Sequence, residues 1–327
     1  LKRQGLRISA MRCVVPGFEK GNRNMENATV LMLKERAAKI RLLFMISASA
    51  LQAQANRNRR TIVDMIHTAN AGHPGGSLSI ADVLAYLYFY RLNIDPAAPD
   101  APGRDRVVLS KGHCCPALYS ALAMRGYFPE EELKKLRTLG AMLQGHPDMK
   151  GTPGVDMSTG SLGQGFSAAA GMAAVAKRRG EEYRIYTLLG DGETEEGQVW
   201  EAAMFANQYK LDNLIAFVDS NGYQIDGAVS DVMDPNPLDE KFRAFGWHAV
   251  VIDGHNFEAI DKAVSECIAS GRPGAIICKT VKGKGVSFME NNYTWHGKAP
   301  KAEEFAAAES ELRAAWEQAR EDMSNGR

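Results

Sequence analysis

Apolar residues in this chain fall into two kinds of pattern that alternate along most of its length: short unbroken runs, and longer stretches where they recur every three or four positions. Short runs rich in β-branched residues and closed by glycine or charge read as strands buried on both faces. They lie at 106–110, 183–189, 214–219, 247–252 and 275–280. The longer stretches predict helices over 59–69, 80–90, 117–125, 130–139, 165–179, 196–210 and 302–323, with another between the last two strands. A further helix is expected over 28–45, where Leu31, Leu33, Ile40, Leu43 and Phe44 offer apolar contacts. Alternating strands and helices predict an α/β fold, a doubly wound and largely parallel sheet flanked by helices, with ligands outside the carboxyl ends of the strands. Residues 283–300 read as a long loop, and loops of that length in compact proteins are commonly functional.

The chain has 327 residues, enough for one large domain or two ordinary ones, and its 45% hydrophobic content supports a sizeable core. Its 39 basic and 39 acidic residues balance, which gives no electrostatic bias towards nucleic acid or membrane. No apolar run reaches the length of about 18 residues that a spanning helix needs, so a cytoplasmic protein is the default expectation. Five cysteines at irregular spacing, with no CxxC pair, read as reduced thiols. Residues 1–27 differ in character: Lys2, Arg3, Arg7, Arg12, Lys20 and Arg23 outnumber the acids and no secretory apolar core follows. They are expected to form a disordered basic leader, with organelle targeting the weaker reading and Met25 an alternative start of the folded protein.

The candidate chemistry centres on Gly190-Asp191-Gly192, followed by Asn221 at the end of the next predicted strand. A strand, glycine turn, helix and second strand make a right-handed parallel crossover, which brings the two carboxyl ends side by side. Asp191 and Asn221 could then meet at one ion. Magnesium takes oxygen ligands at about 2.0–2.1 Å and fills its shell with water and phosphates. Glycine beside the aspartate lets the backbone approach phosphate oxygens, and a helix N-terminus adds donors. Taken alone, Gly-Asp-Gly is more often an ordinary turn.

The longer string from Gly190 through Glu193, Glu195, Glu196, Gly197 and Trp200 to Ala203, ending in Asn221-Gly222-Tyr223-Gln224, is more specific. It resembles the thiamine diphosphate motif of transketolases, in the version split into two polypeptides. Other segments carry the same resemblance. They are Gly72-His73-Pro74-Gly75-Gly76, Leu109-Ser110-Lys111-Gly112-His113, Gly145-His146-Pro147, Ser158-Thr159-Gly160-Ser161-Leu162-Gly163-Gln164-Gly165, Lys282-Gly283-Lys284-Gly285 and Trp295-His296-Gly297. Each histidine by itself reads as an ordinary half-exposed loop residue. Together they suit chemistry that moves protons between hydroxyl, carbonyl and cofactor near neutral pH.

The resemblance covers residues 28–300, taken as a thiamine diphosphate (pyrophosphate)-binding domain, with 301–327 a C-terminal helix. It implies that Asp191 and Asn221 bind Mg2+ (or another divalent cation such as Ca2+ or Mn2+) by side chain and Tyr223 by its carbonyl. Gly192 would contact the diphosphate, with His113, His296 and Lys282 on the cofactor side and Gly160 and Leu162 against the aminopyrimidine. His73 and His146 would face the sugar. Glu196 would couple across a subunit interface to a second site. The implied reaction is transfer of a two-carbon ketol unit from a ketose phosphate to an aldose, the cofactor carrying the difficult chemistry.

The family's activating glutamate belongs to a pyrimidine-binding domain that no segment here matches. The chain is therefore expected to be inactive alone and to pair with a C-terminal transketolase subunit, in a heterotetramer of two of each. Alternatives are a component of a 2-oxo acid dehydrogenase or deoxyxylulose-phosphate synthase, or a non-catalytic binding scaffold. A dehydrogenase-type dinucleotide site is disfavoured because G-x-G-x-x-G is lacking. Cys114 and Cys115 depart from the small residues usual after Lys-Gly-His; the preferred reading is that they fill space, the sharper one that they are oxidation-sensitive.

Overall fold

The computed structural model describes residues 48–326. The expected helix over 28–45 and the basic leader lie outside them.

All the predicted strands are present: β1 (Arg106–Leu109), β2 (Ile185–Gly190), β3 (Leu214–Ser220), β4 (His248–Asp253) and β5 (Gly274–Lys279). They form one sheet in the order β1-β2-β3-β5-β4, every neighbouring pair parallel. Along β2 and β3 almost every residue is buried, the near-continuous apolar pattern that a sheet covered on both faces demands.

Helices cover both faces. On one side lie α5 (Gln164–Arg179), α6 (Gly197–Gln208) and α8 (Leu238–Ala244). Their buried Phe166, Ala169, Ala173, Val199, Ala203 and Phe242 share a core with Ile185, Leu189, Ala216, Val218 and Ile277 of the sheet. Alanine on the inner stripe of α5 lets it sit close to the strands. Gly165 takes this furthest, since a Cβ there would stand 2.7 Å from Ser110 Cα. Across the sheet, Ile80 and Val83 face Leu188, Phe217 and Cys278. That layer contains α3 (Ala81–Tyr86) and α9 (Phe257–Ala269), which pack on each other.

Several predicted helices differ in extent. The first described helix, α1, covers 48–69 rather than starting at 59. The stretch 80–90 divides into α3 and a π-helical turn, Leu87–Arg91, with the short α2 (Pro74–Ser79) just ahead of it. Residues 130–139 form only a short 3-10 segment, Glu130–Lys135, with its acids at the start and lysines at the end. The helix α4 (Cys115–Arg125) starts at Cys115 with Pro116 in its first turn, two residues before the predicted 117, and Gly126 closes it in the left-handed region at φ 88°. The small α7 (Val229–Val232) has no counterpart in the sequence pattern. At the chain end, α10 (Ala302–Ser324) docks on α1, where Asn56 donates to the Ala315 carbonyl and Arg60 pairs with Glu309.

Candidate cofactor site

The carboxyl ends of β1, β2, β3 and β5 open into a cavity of about 270 Å³. Adjacent parallel strands deliver its charged wall: Gly190 pairs with Asp219 in the ladder, and the Asp191 N–H donates to the Asp219 carbonyl at 3.2 Å. Asp191 is buried, and its side chain accepts from the Gly192 and Gly222 N–H groups at 2.9 and 2.6 Å. Burial and the neighbouring Asp219 charge push its carboxyl up to about 6, against those hydrogen bonds. Helix α6 does not follow the turn directly; a 3-10 segment, Gly192–Glu195, intervenes, so the helix N-terminus is set back from Asp191.

Asp219 is fully engaged. It accepts from Lys111 Nζ at 2.5 Å, Ser79 Oγ at 2.6 Å, Asn221 Nδ2 at 2.8 Å and the Thr280 hydroxyl. Burial opposes its ionisation, but Lys111 and these donors outweigh it and hold the carboxyl below its usual range. Burial likewise opposes the Lys111 charge, and Asp219 overcomes it. Glu193 ties three segments together, accepting from the Ser110 hydroxyl, the Gly163 N–H at 2.9 Å and the Gly190 N–H at 3.1 Å.

Asn221 Oδ1 accepts from the Tyr223 N–H at 3.1 Å, and the Tyr223 carbonyl accepts from Lys282 Nζ, also at 3.1 Å. Asp191, Asn221 and Tyr223 all line the cavity. Among the described residues no three or more His, Cys, Asp or Glu side chains are grouped as a metal site. The oxygen set offers one carboxylate, one amide oxygen and one main-chain carbonyl, donors suited to a hard cation that keeps phosphate and water in its remaining positions.

The same cavity is lined by three imidazoles in a triangle: His73 to His113 is 5.1 Å between centroids, His73 to His296 is 5.5 Å, and His113 to His296 is 5.1 Å. Three separate segments bring them there, with His73 and His296 more than two hundred positions apart in sequence. His73 Nδ1 is buried and has no partner within the protein, a polar atom left for something else to meet. Burial is the main reason that the ring stays neutral, helped by Arg137, His146 and Lys282; its pKa is lowered to about 4. His296 is lowered to about 3 by burial and by Lys282, whose Nζ is 3.1 Å from His296 Nδ1. His113 is lowered as well, by burial and then Lys111. Lys282 itself is buried and lowered by burial and by Lys111.

Gly160, Leu162 and Gly192 line the same cavity. A Cβ on Gly192 would press to 3.2 Å on the Gln224 side chain, which also lines the cavity. Two candidates sit apart. His146 is exposed and does not line the cavity, although its ring lies 3.1 Å from where a Gly160 Cβ would be. Glu196 is exposed on the outside, at the start of α6.

Sequence reasoning gave no role to Lys111 or Asp219, though both shape the site. The one available signal was an acid closing the otherwise apolar β3. Cys114 and Cys115 are both buried, and burial pushes both thiols up, away from the reactive thiolate. Gly76 leaves room for Cys114, whose sulfur would be 2.8 Å from a Cβ there. That geometry fits the packing reading.

A parallel α/β sheet whose strand ends carry an acid–amide oxygen pair facing a cluster of neutral imidazoles defines a diphosphate-cofactor-binding protein. Residues 50–321 match the family model described as transketolase, thiamine diphosphate binding domain. The chain belongs to the transketolase family and is a transketolase subunit carrying that domain. It is 52% identical over 263 residues to the 6-deoxy-6-sulfo-D-fructose transketolase subunit SqwG of Clostridium sp. (strain MSTE9), covering 80% of this chain and 96% of that one. It is 40% identical to an apulose-4-phosphate transketolase subunit of Phocaeicola vulgatus, covering 82% and 95%. Against the transketolase of Homo sapiens identity is 43%, over 76% of this chain but 40% of the human protein. The crystal structure of transketolase from Campylobacter jejuni superposes with a TM-score of 0.74 at 34% identity, covering 84% of this chain and 47% of that one. The chain thus spans less than half the length of these last two transketolases.

Proposed function

We propose that this chain, joined to a partner subunit carrying the pyrimidine-binding domain, transfers a two-carbon ketol unit from a ketose phosphate to an aldose acceptor. The observation that carries this reading is the cavity itself, where three neutral imidazoles face Asp191 and Asn221. When bound, thiamine diphosphate supplies the electron sink for breaking the ketose carbon–carbon bond. Asp191, Asn221 and the Tyr223 carbonyl would hold the divalent cation, Mg2+ by preference, with Gly192, His113, His296 and Lys282 on the diphosphate side. Gly160 and Leu162 would shape the wall against the aminopyrimidine.

His73 is the best-placed group for substrate. Its ring lines the cavity and is neutral at physiological pH, so its cavity-facing edge can hold a sugar hydroxyl or carbonyl oxygen and pass a proton there. His146, at the rim beside Gly160, is placed to meet the sugar as it enters. Glu196, exposed and away from the cavity, suits a contact with another chain. Subunit naming among the relatives supports a partner, and we propose two of each chain in the assembly. Among the described residues no helix is long and apolar enough to cross a membrane. The four cysteines among the described residues are free and buried, which suits the reducing cytoplasm where we place the protein.

The test is reconstitution with the candidate partner, thiamine diphosphate and Mg2+ against a panel of ketose donors. The panel includes 6-deoxy-6-sulfo-D-fructose and apulose 4-phosphate because relatives carry those sugars in their names. Ketol transfer that needs both chains is expected, and His73→Ala should retain cofactor binding while transfer falls about 10²–10⁴-fold. Full turnover by the purified chain, or equal loss of cofactor affinity in His73→Ala and Asp191→Ala, would refute this division of roles.

A further inference from the structure

Behind the cavity wall runs a buried chain of polar contacts that touches none of the cavity-lining side chains directly. Arg59 of α1 and Asp82 of α3 form an ion pair in which both side chains are almost wholly buried, 3% and 1% exposed. The same carboxylate lies 2.6 Å from His255 Nδ1, in the turn after β4. On its other side the His255 ring meets the main chain: the Val281 N–H donates to Nε2 at 2.9 Å. A backbone amide can only donate, so Nε2 must be the bare nitrogen. The ring proton is therefore on Nδ1, donated to Asp82.

What this ring holds is the root of the segment that enters the site. Val281 precedes Lys282, whose ammonium group reaches both the Tyr223 carbonyl and His296 Nδ1. One residue on, the Gly283 N–H donates to the Gly75 carbonyl, beside the turn that carries His73. One residue back, the Thr280 hydroxyl donates to Asp219. Anchors thus fix this short segment from both flanks. At Val281, the amide nearest Lys282 on its N-terminal side, the anchor is an imidazole whose tautomer is set by a buried carboxylate, itself locked by arginine. Carboxylate-to-histidine pairing of this kind orients rings elsewhere in proteins.

We propose that His255 is a positioning residue for the cofactor site: through the Val281 amide it sets the backbone from which Lys282 reaches the diphosphate side of the cavity, and Arg59 and Asp82 serve to hold its tautomer. The inference rests on the cofactor reading of that cavity. Two substitutions divide the ring's two contacts. The amide oxygen of His255→Gln falls near the position of Nε2 and can still accept from Val281, while the donor to Asp82 is given up. In His255→Asn the amide nitrogen falls near Nδ1 and can still donate to Asp82, while nothing reaches Val281.

The experiment combines residue-resolved hydrogen exchange at the Val281 amide with thiamine diphosphate titration in MgCl2, on wild-type chain, both variants, Lys282→Met and the His255→Asn/Lys282→Met double variant. Expected are a protected Val281 amide in wild type and His255→Gln and an unprotected one in His255→Asn. The cofactor Kd should rise about fivefold to tenfold in His255→Asn, the size of one lost net hydrogen bond, and stay within about twofold of wild type in His255→Gln. In the Lys282→Met background His255→Asn should add little, because the two act through one another. Equal exchange at Val281 in wild type and His255→Asn, equal weakening by Asn and Gln, or simple additivity with Lys282→Met would overturn the proposal. Failure of the wild-type chain to bind thiamine diphosphate would instead count against the proposed function, and the exchange data would still decide the tether.

Discussion

The Asp191 N–H donates to the Asp219 carbonyl at 3.2 Å, so two buried carboxylates stand at adjoining strand ends with different electrostatic partners. Asp219 meets the Lys111 ammonium group at 2.5 Å, whereas the Asp191 side chain is met by the Gly192 and Gly222 amides. One acid is neutralised within the fold, and the other keeps a charge that a bound cation would satisfy. Asp191→Ala should therefore abolish Mg2+-dependent thiamine diphosphate binding, while costing no more than about 1–3 kcal/mol of stability from the amides left unmet. Asp219→Asn should do the reverse in order of severity: Lys111 loses its counter-charge in a buried setting, which costs about 3–5 kcal/mol. Calorimetric melting and cofactor titration on both variants check the division; unchanged Mg2+ dependence in Asp191→Ala would contradict it.

Acid should loosen the cofactor-free chain through its histidine cluster. His73 and His296 have pKa values lowered from 6.5 to about 4 and about 3, and His113 is lowered too, so the folded state binds fewer protons than the unfolded chain below pH 6.5. The sign follows from linkage: this contribution to stability is fully present above pH 6.5 and is lost progressively as pH falls towards 4. Each histidine can contribute a slope of at most about 1.4 kcal/mol per pH unit, less where water screens the ring. Urea unfolding at pH 7.5, 6 and 5 should show a steeper decline in wild type than in His73→Asn, which removes one such group. Parallel profiles would mean that His73 titrates normally.

The sheet could be read from sequence because each strand is a short, almost purely apolar run, and burial on both faces leaves no other home for such runs. Boundaries moved by only a residue or two, as in β2, which starts at Ile185 rather than 183. Candidate site residues on local motifs such as Gly190-Asp191-Gly192 could be named from sequence, and most of them line the cavity, His146 and Glu196 excepted. What stayed hidden is what sequence separation conceals. Lys111 finds Asp219 across 108 positions, and His255 finds Asp82 across 173. No periodicity marks such pairs. Residues 130–139 misled for a different reason: acids followed by lysines suit a helix end to end, yet Leu133 and Leu136 are buried there around a short 3-10 turn.

Glu196 should matter to assembly and not to the metal. Its side chain is exposed, outside the cavity, at the first turn of α6, with Glu193 and Glu195 separately engaged by Ser110 and Gln224. Glu196→Gln should leave the Mg2+ and thiamine diphosphate affinity of the chain within about twofold, the range expected of a surface change. Association with the partner subunit, or activation by it, should weaken. Sedimentation of the mixed chains together with cofactor titration checks this, and a lost Mg2+ response would place Glu196 in the metal site instead.

Two glycines separate a functional backbone from an incidental one. Gly160 lines the cavity at φ 151°, and a Cβ there would stand 3.1 Å from the His146 ring. Gly171 sits exposed within α5, where a Cβ would meet nothing within 4 Å. In Gly160→Ala the backbone must leave a conformation that alanine resists, at about 1–3 kcal/mol, and the His146 ring must move. The expected result is a fall in kcat with a raised KM for sugar in the reconstituted enzyme, larger than its loss of melting temperature explains. Gly171→Ala removes a flexible residue from a helix interior and should stabilise by about 0.5–1 kcal/mol, with transfer unchanged. Steady-state kinetics and melting on the pair check both halves, and a Gly160→Ala enzyme with wild-type kcat and KM would show that the rim tolerates a side chain where the cavity geometry says it does not.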